Sequence, residues 1–268
     1  MHMLRVLLTS CLLFGAAAAR ADEVVLYGAG SLRAVLSDIV QDFSRKSGIK
    51  VRTDFGPSGL MREKIEQGDK VDILASADMA SPVKLQKDGL ASAVVMFTRN
   101  RLCAFALPEA RLSGANFAER LLDPAVKLGT STPKADPGGD YTWAMFQLID
   151  KRNPGAFVKL EAKAKKIVGG SAAPIQAGED PIADAFKSGQ INVMMGYCSG
   201  AAQRKAATPK LDVVEVPEAY ETGPEYGLAL ARTDNAAAVA LMLAILSPQG
   251  QATFGRYGFA PVGLPTRP

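Results

Sequence analysis

The fold is decided by Val24-Val25-Leu26-Tyr27-Gly28-Ala29-Gly30-Ser31-Leu32-Arg33-Ala34-Val35-Leu36-Ser37-Asp38-Ile39-Val40-Gln41-Asp42-Phe43, closed by Gly48 and followed by Ile49–Phe55. Val24–Tyr27 is a short apolar run of strand type. A small-residue turn, Gly28-Ala29-Gly30-Ser31, opens directly into Leu32, Val35, Leu36, Ile39, Val40 and Phe43, which recur at helical spacing until Gly48 stops them. Ile49–Phe55 then alternates as a strand. Strand, turn, helix and strand in that order are the unit of an α/β protein.

The same grammar continues toward the C-terminus. A helix is predicted from Ser58 to Gly68, a strand over Val71–Ala75 and a short helix over Pro82–Gly89. A second block starts with a strand at Arg101–Leu107. It continues with helices over Asp140–Lys151, Gly155–Ile167 and Asp180–Gly189, then strands at Ile191–Tyr197 and Leu211–Val216. After Pro217–Pro224, Glu225–Ala231 reads as a strand, and helices over Ala236–Leu246 and Gln249–Tyr257 close the chain. Two α/β blocks imply two lobes, residues 22–98 with 223–268 and residues 99–222. The chain crosses near Thr98 and returns near Gly223, with a cleft between the lobes that suits a small ligand.

Toward the N-terminus the reading changes. Met1–Arg5 is a short basic start, Val6–Ala19 an apolar run, and Ala19-Arg20-Ala21 a small-x-small cleavage pattern. Residues 1–21 are therefore expected to be a signal peptide, which makes the protein periplasmic and starts the mature chain at Asp22. Cys11 sits inside the apolar run, so the lipoprotein-like Leu8-Thr9-Ser10-Cys11 is set aside.

Composition excludes several chemistries. Of 31 basic residues, Arg5 and Arg20 fall in the leader, leaving 29 against 27 acidic groups. No basic face for nucleic acid is indicated. The one histidine, His2, also lies in the leader, so catalysis through an imidazole base and histidine metal sites are excluded. Cys103 and Cys198 remain as a candidate disulfide in an oxidising compartment, with two separate thiols as the alternative.

Four segments share one design, a small or glycine-rich turn opening into a helix: Gly28–Ser31, Gly56–Gly59, Asp136–Gly139 and Gly178–Pro181. Unpaired amides and the positive end of the helix make such turns capable of holding an anion. Each alone is equally an ordinary helix cap. Gly28-Ala29-Gly30 lacks the third glycine and acidic partner of a dinucleotide loop.

Read together and in order, these segments resemble the periplasmic molybdate-binding proteins of ABC importers. The resemblance is carried by Val24–Leu32, by Phe55–Leu60 with Ile65–Gly68, by Val71–Asp78, by Arg99–Leu102, by Asp136–Tyr141 and by Gly196-Tyr197. It implies a two-lobed type II periplasmic-binding-protein fold, each lobe a mixed sheet flanked by helices, with the ligand in the interlobe cleft. It also implies a monomer that is not an enzyme, needs no cofactor and delivers molybdate or tungstate to an inner-membrane ABC permease. In that family two serine hydroxyls, two backbone amides and a tyrosine hydroxyl surround the oxyanion. They map onto Ser31, Ser58, Gly138, Asp180 (or its neighbour Glu179) and Tyr197. A bare dianion wants donors and no acceptor, so Asp136 and Asp140 are expected to point to solvent. Turned inward, either would instead suit hydrogen phosphate. Lys163, Lys165 and Lys166 read as a solvated helix face. The competing readings are a receptor for phosphate, sulfate or a small organic anion, an exported two-lobed enzyme, and the sensing domain of a regulator.

Overall fold

The computed structural model describes residues 23–169, 179–231 and 234–262; the expected leader lies outside the described residues. The chain runs β1 (Val24–Ala29), a 3-10 turn at Gly30–Leu32, α1 (Arg33–Ser47), β2 (Val51–Gly56), α2 (Ser58–Glu66), β3 (Ile73–Ser76), α3 (Ala80–Lys87) and β4 (Ala93–Arg99). It then continues with β5 (Leu102–Ala106), α4 (Phe117–Leu122), β6 (Leu128–Ser131), α5 (Pro137–Asp150), α6 (Ala156–Lys163), β7 (Lys165–Val168), α7 (Pro181–Lys187), β8 (Val193–Tyr197), α8 (Ala201–Ala207) and β9 (Asp212–Glu215). It closes with β10 (Glu225–Leu230), α9 (Ala236–Leu246), α10 (Pro248–Arg256) and β11 (Ala260–Pro261).

The strands form two mixed sheets, one ordered β11-β4-β10-β3-β1-β2 and one ordered β7-β6-β8-β5-β9. In the first, β2, β1 and β3 are parallel and β10 is antiparallel to β3 and β4. In the second, β7, β6 and β8 are parallel and β5 is antiparallel to β8 and β9. The two sheets therefore repeat one plan: three parallel strands, then an antiparallel strand that has come across from the other half of the chain. Each parallel trio delivers its C-terminal ends to one edge of its sheet, where ligands of open α/β folds are held. Each sheet has its own apolar core. Leu26, Leu36, Ile73 and Leu241 are fully buried in the first, and Leu102, Leu128, Phe146 and Leu160 in the second. Tyr197 packs against both.

Three features depart from the sequence reading. The helix expected over Gly155–Ile167 stops at Lys163, because Lys165–Val168 pairs in parallel with β6. A neighbouring strand offers Ile167 and Val168 a ladder, and tertiary context overrides local helical pattern. The lysine cluster is consequently not one helix face: Lys165 and Lys166 lie on β7. The Lys163 ammonium is part-buried, donating to the carbonyls of Leu121 and Asp123 at 2.8 and 2.7 Å. Strands β4, β6 and β11 and helices α4 and α8 carry no local signal in the sequence reading. Cys103 on β5 and Cys198, just past the end of the adjacent β8, form a disulfide.

The lobes are tied at the back of the cleft where the chain crosses. The amide of Asn100 donates to the carbonyl of Pro224 at 2.9 Å, joining the two crossing segments. The Tyr141 hydroxyl, from α5, accepts from the Glu225 amide at 3.1 Å.

Candidate functional site

A cavity of about 260 Å³ opens between the C-terminal ends of the two parallel trios. Its first-sheet wall is Gly30 and Ser31 beyond β1, Gly56–Ser58 beyond β2 and Ala77 beyond β3; its second-sheet wall includes Ser131, Asp136, Gly138 and Tyr197. Four of the five residues expected to hold the ligand, Ser31, Ser58, Gly138 and Tyr197, line this one cavity.

The hydrogen bonding around the hydroxyls sets their direction. The Asn100 side-chain NH2 group can only donate, and it does so to the Tyr226 hydroxyl at 3.2 Å. Tyr226 then has its own proton to give to the Ser31 hydroxyl, 3.1 Å away. Ser31 is left with a proton for the cavity. Ser58 is set in the same sense, since its hydroxyl accepts the Ala77 amide at 3.0 Å and keeps its proton free. The Tyr197 hydroxyl is buried and, among the described residues, has no hydrogen-bond partner. Burial pushes its phenol well above the usual tyrosine range, so it is a neutral hydroxyl with a proton to donate. Three side chains with a hydroxyl proton to give thus line one cavity, and a buried donor without a partner costs about 1–3 kcal/mol until something accepts from it.

The relay behind Ser31 has a testable consequence. Tyr226 is buried and does not line the cavity, yet Tyr226→Phe is expected to weaken anion binding about fivefold, the worth of about 1 kcal/mol, because Ser31 loses its donor and relaxes. Calorimetric titration of the variant checks this, and unchanged affinity removes Tyr226 from the site.

Two expectations are corrected. Asp180 does not line the cavity. As the N-cap of α7 it accepts from the Ala183 amide at 3.1 Å, and it also pairs with Arg204 at 2.8 Å, so its carboxylate is held by its own helix and by a cation. Pro181, next in the chain, has no amide proton to offer. Asp136 does not point to solvent. It caps α5 and lines the cavity, and its carboxylate accepts the Gly138 amide at 2.9 Å, the very donor expected to hold the ligand. Burial pushes the Asp136 carboxyl up to about 6, against the opposing bonds from Gly138 and Ser131, with Asp140 and Asp78 adding to the rise. Asp140 is exposed, accepts the Lys134 amide at 2.9 Å and sits in the first turn of α5.

Sequence reasoning also missed the cavity's two guanidinium groups. Arg33 lies at the start of α1, donates to the Phe55 carbonyl at 2.9 Å and stacks over the Phe55 ring. Arg204 is on α8, with its side chain only 12% exposed. Arg33 directly follows Ser31-Leu32, so its position was readable. Arg204 is held at the site by Asp180, 24 residues away in sequence, which no local pattern announces.

Comparison with known proteins agrees with this architecture. An uncharacterised protein of Pasteurella multocida is 35% identical over 206 residues, covering 76% of this chain and 85% of its own. The molybdate-binding protein of Escherichia coli is 25% identical over 256 residues, 91% of each chain. Among solved structures, the sulfate-binding protein of Mycobacterium tuberculosis superposes with a TM-score of 0.71 at 18% identity, over 90% of this chain and 87% of its own. At that identity the likeness is one of fold, the two-lobed type II arrangement of periplasmic binding proteins. Residues 24–260 match the sequence model described as bacterial extracellular solute-binding protein, and the chain belongs to that family.

Proposed function

We propose that this protein captures a tetrahedral oxyanion between its lobes, outside the cytoplasm, and delivers it to an ABC permease of the inner membrane. The observation that carries this reading is the convergence of three hydroxyl side chains, Ser31, Ser58 and Tyr197, the last without a partner among the described residues, on one cavity at the strand ends. The chemistry is binding: the ligand draws the lobes together by bridging Ser31 and Ser58 on one to Tyr197 on the other. Among oxyanions, molybdate, with tungstate, is favoured by the likeness to the E. coli protein and by the neutral donors. A second reading, a phosphate group, is favoured by Asp136. A carboxylate in the cavity wall repels a bare dianion and accepts from an oxyanion that carries a proton.

Titration with molybdate, tungstate, sulfate and phosphate tests the proposal. Binding of at least one is expected, with Ser58→Ala and Tyr197→Phe each weakening it about tenfold, or about 1–2 kcal/mol. Four silent titrations rule out the oxyanion reading. Unaltered affinity in both variants moves the ligand elsewhere.

A further inference from the structure

The cavity is larger than its oxyanion end. A tetrahedral oxyanion occupies about two or three water volumes of roughly 30 Å³ each, about a third of the 260 Å³ present. Around the remainder the second lobe contributes Phe105, Met194 and Ile182, and α8 contributes Gln203 and Arg204. An apolar wall is poor lining for an inorganic ion and suits carbon, since sites for organic ligands are mostly apolar with a few placed polar groups. Arg204 brings a largely buried guanidinium to the same cavity. Among the described residues, Asp180 is its hydrogen-bond partner, through Nη1. A guanidinium carries five N–H donors in a planar fork, the geometry that matches a carboxylate.

Asp136, in the same cavity wall, adds a condition. Its acceptor oxygens lie among the donors, so the oxyanion group that fits best has an ionisable proton of its own near neutral pH. A phosphate monoester has one, with a second pKa of about 6, close to the value to which burial raises Asp136.

From these features we infer that the ligand is a small phosphorylated organic acid, its phosphoryl group held by Ser31, Ser58 and Tyr197, its carbon body against Met194 and Ile182, and its carboxylate on Arg204. This rests on the oxyanion reading above and takes its phosphate form.

Calorimetry with four probes tests it: inorganic phosphate, molybdate, glycerol 3-phosphate, which has no second acid, and 2-phosphoglycolate, which has one. Phosphoglycolate is expected to bind at least tenfold more tightly than phosphate, with glycerol 3-phosphate between them. Arg204→Gln removes about tenfold from phosphoglycolate and leaves phosphate within twofold. Asp180→Asn breaks the same ion pair from its other side and leaves Arg204 in place, so it is expected to keep phosphoglycolate affinity within threefold. Phosphate or molybdate binding as tightly as phosphoglycolate overturns the inference and leaves the oxyanion site standing. Equal losses of phosphoglycolate affinity in Arg204→Gln and Asp180→Asn also overturn it, because the pair would then be structural. If none of the four probes binds, the inference and the oxyanion reading fall together.

Discussion

Gly59→Ala is expected to weaken oxyanion binding by roughly a hundredfold while leaving the unliganded protein as stable as before. Gly59 lies in the first turn of α2, beside Ser58, and its amide donates across the cleft to the Ala135 carbonyl at 3.1 Å. A Cβ at this position would stand 2.5 Å from the Lys134 carbonyl oxygen and 2.9 Å from that of Ala135. Both atoms are backbone of the opposite lobe, in the loop that leads to α5, so no side chain can swing aside. The lobes must part instead. Overpacking of this kind costs about 1–3 kcal/mol, and the lost cross-cleft bond adds about 1. In the open form the methyl group meets solvent, and within a helix alanine is favoured over glycine by up to about 1 kcal/mol. The variant thus separates closure from folding. Titration calorimetry gives the affinity, and solution scattering shows whether a ligand still contracts the molecule. Affinity within threefold of the parent means that binding does not require the lobes to approach this closely.

How much of this was legible beforehand follows from where each residue gets its role. The strand-turn-helix units at Val24–Ser47 and Val51–Glu66 declare themselves because their signals are local: an apolar run, a small-residue turn, a 3.6-residue period and a stop. Ser31 and Ser58 were found for the same reason, standing where strands end and helices begin. Tyr197 sits at the end of the apolar run that became β8. What escaped depends on partners distant in sequence. Lys165–Val168 is a strand only because β6 lies beside it. Tyr226 matters only because Asn100, 126 residues away, donates to it. Asp136 was misjudged because a helix-capping aspartate ordinarily faces water. Here α5 begins at the floor of a cleft, so its cap faces the cavity. The resemblance to oxyanion receptors supplied the positions of the donors and could not supply the carboxylate acceptor among them.

That acceptor is the source of the second large effect. Asp136→Asn is expected to stabilise the protein by about 2–3 kcal/mol at pH 7.5 and by only about 0.5 kcal/mol at pH 4. The sign follows from the direction of the shift. Burial raises the carboxyl from 3.8 to about 6 in the folded state, so the native protein holds this proton more tightly than the unfolded chain does. Below about pH 3 both states are largely protonated and the site costs almost nothing. As pH rises through the window from 4 to 6 the unfolded chain releases its proton first, and stability falls. Above 6 the full penalty of about two pH units, near 1.4 kcal/mol each, is present. Asparagine keeps a carbonyl oxygen for the Gly138 amide and carries no charge at any pH, so it removes the penalty and preserves the cap. Ligand binding should register the same proton. Sulfate has none to share, so its affinity for the parent is expected to fall roughly tenfold between pH 5.5 and 7.5, as Asp136 ionises, and to stay flat in Asp136→Asn. A phosphate ester brings its own proton and should lose far less over that range. Denaturant unfolding at pH 4, 6 and 7.5, with sulfate titrations at the two higher values, decides the matter. Stability curves that run parallel for the two proteins would mean that Asp136 is ionised throughout. In that case its carboxylate is a fixed negative wall of the site, and a ligand must be selected against it at every pH.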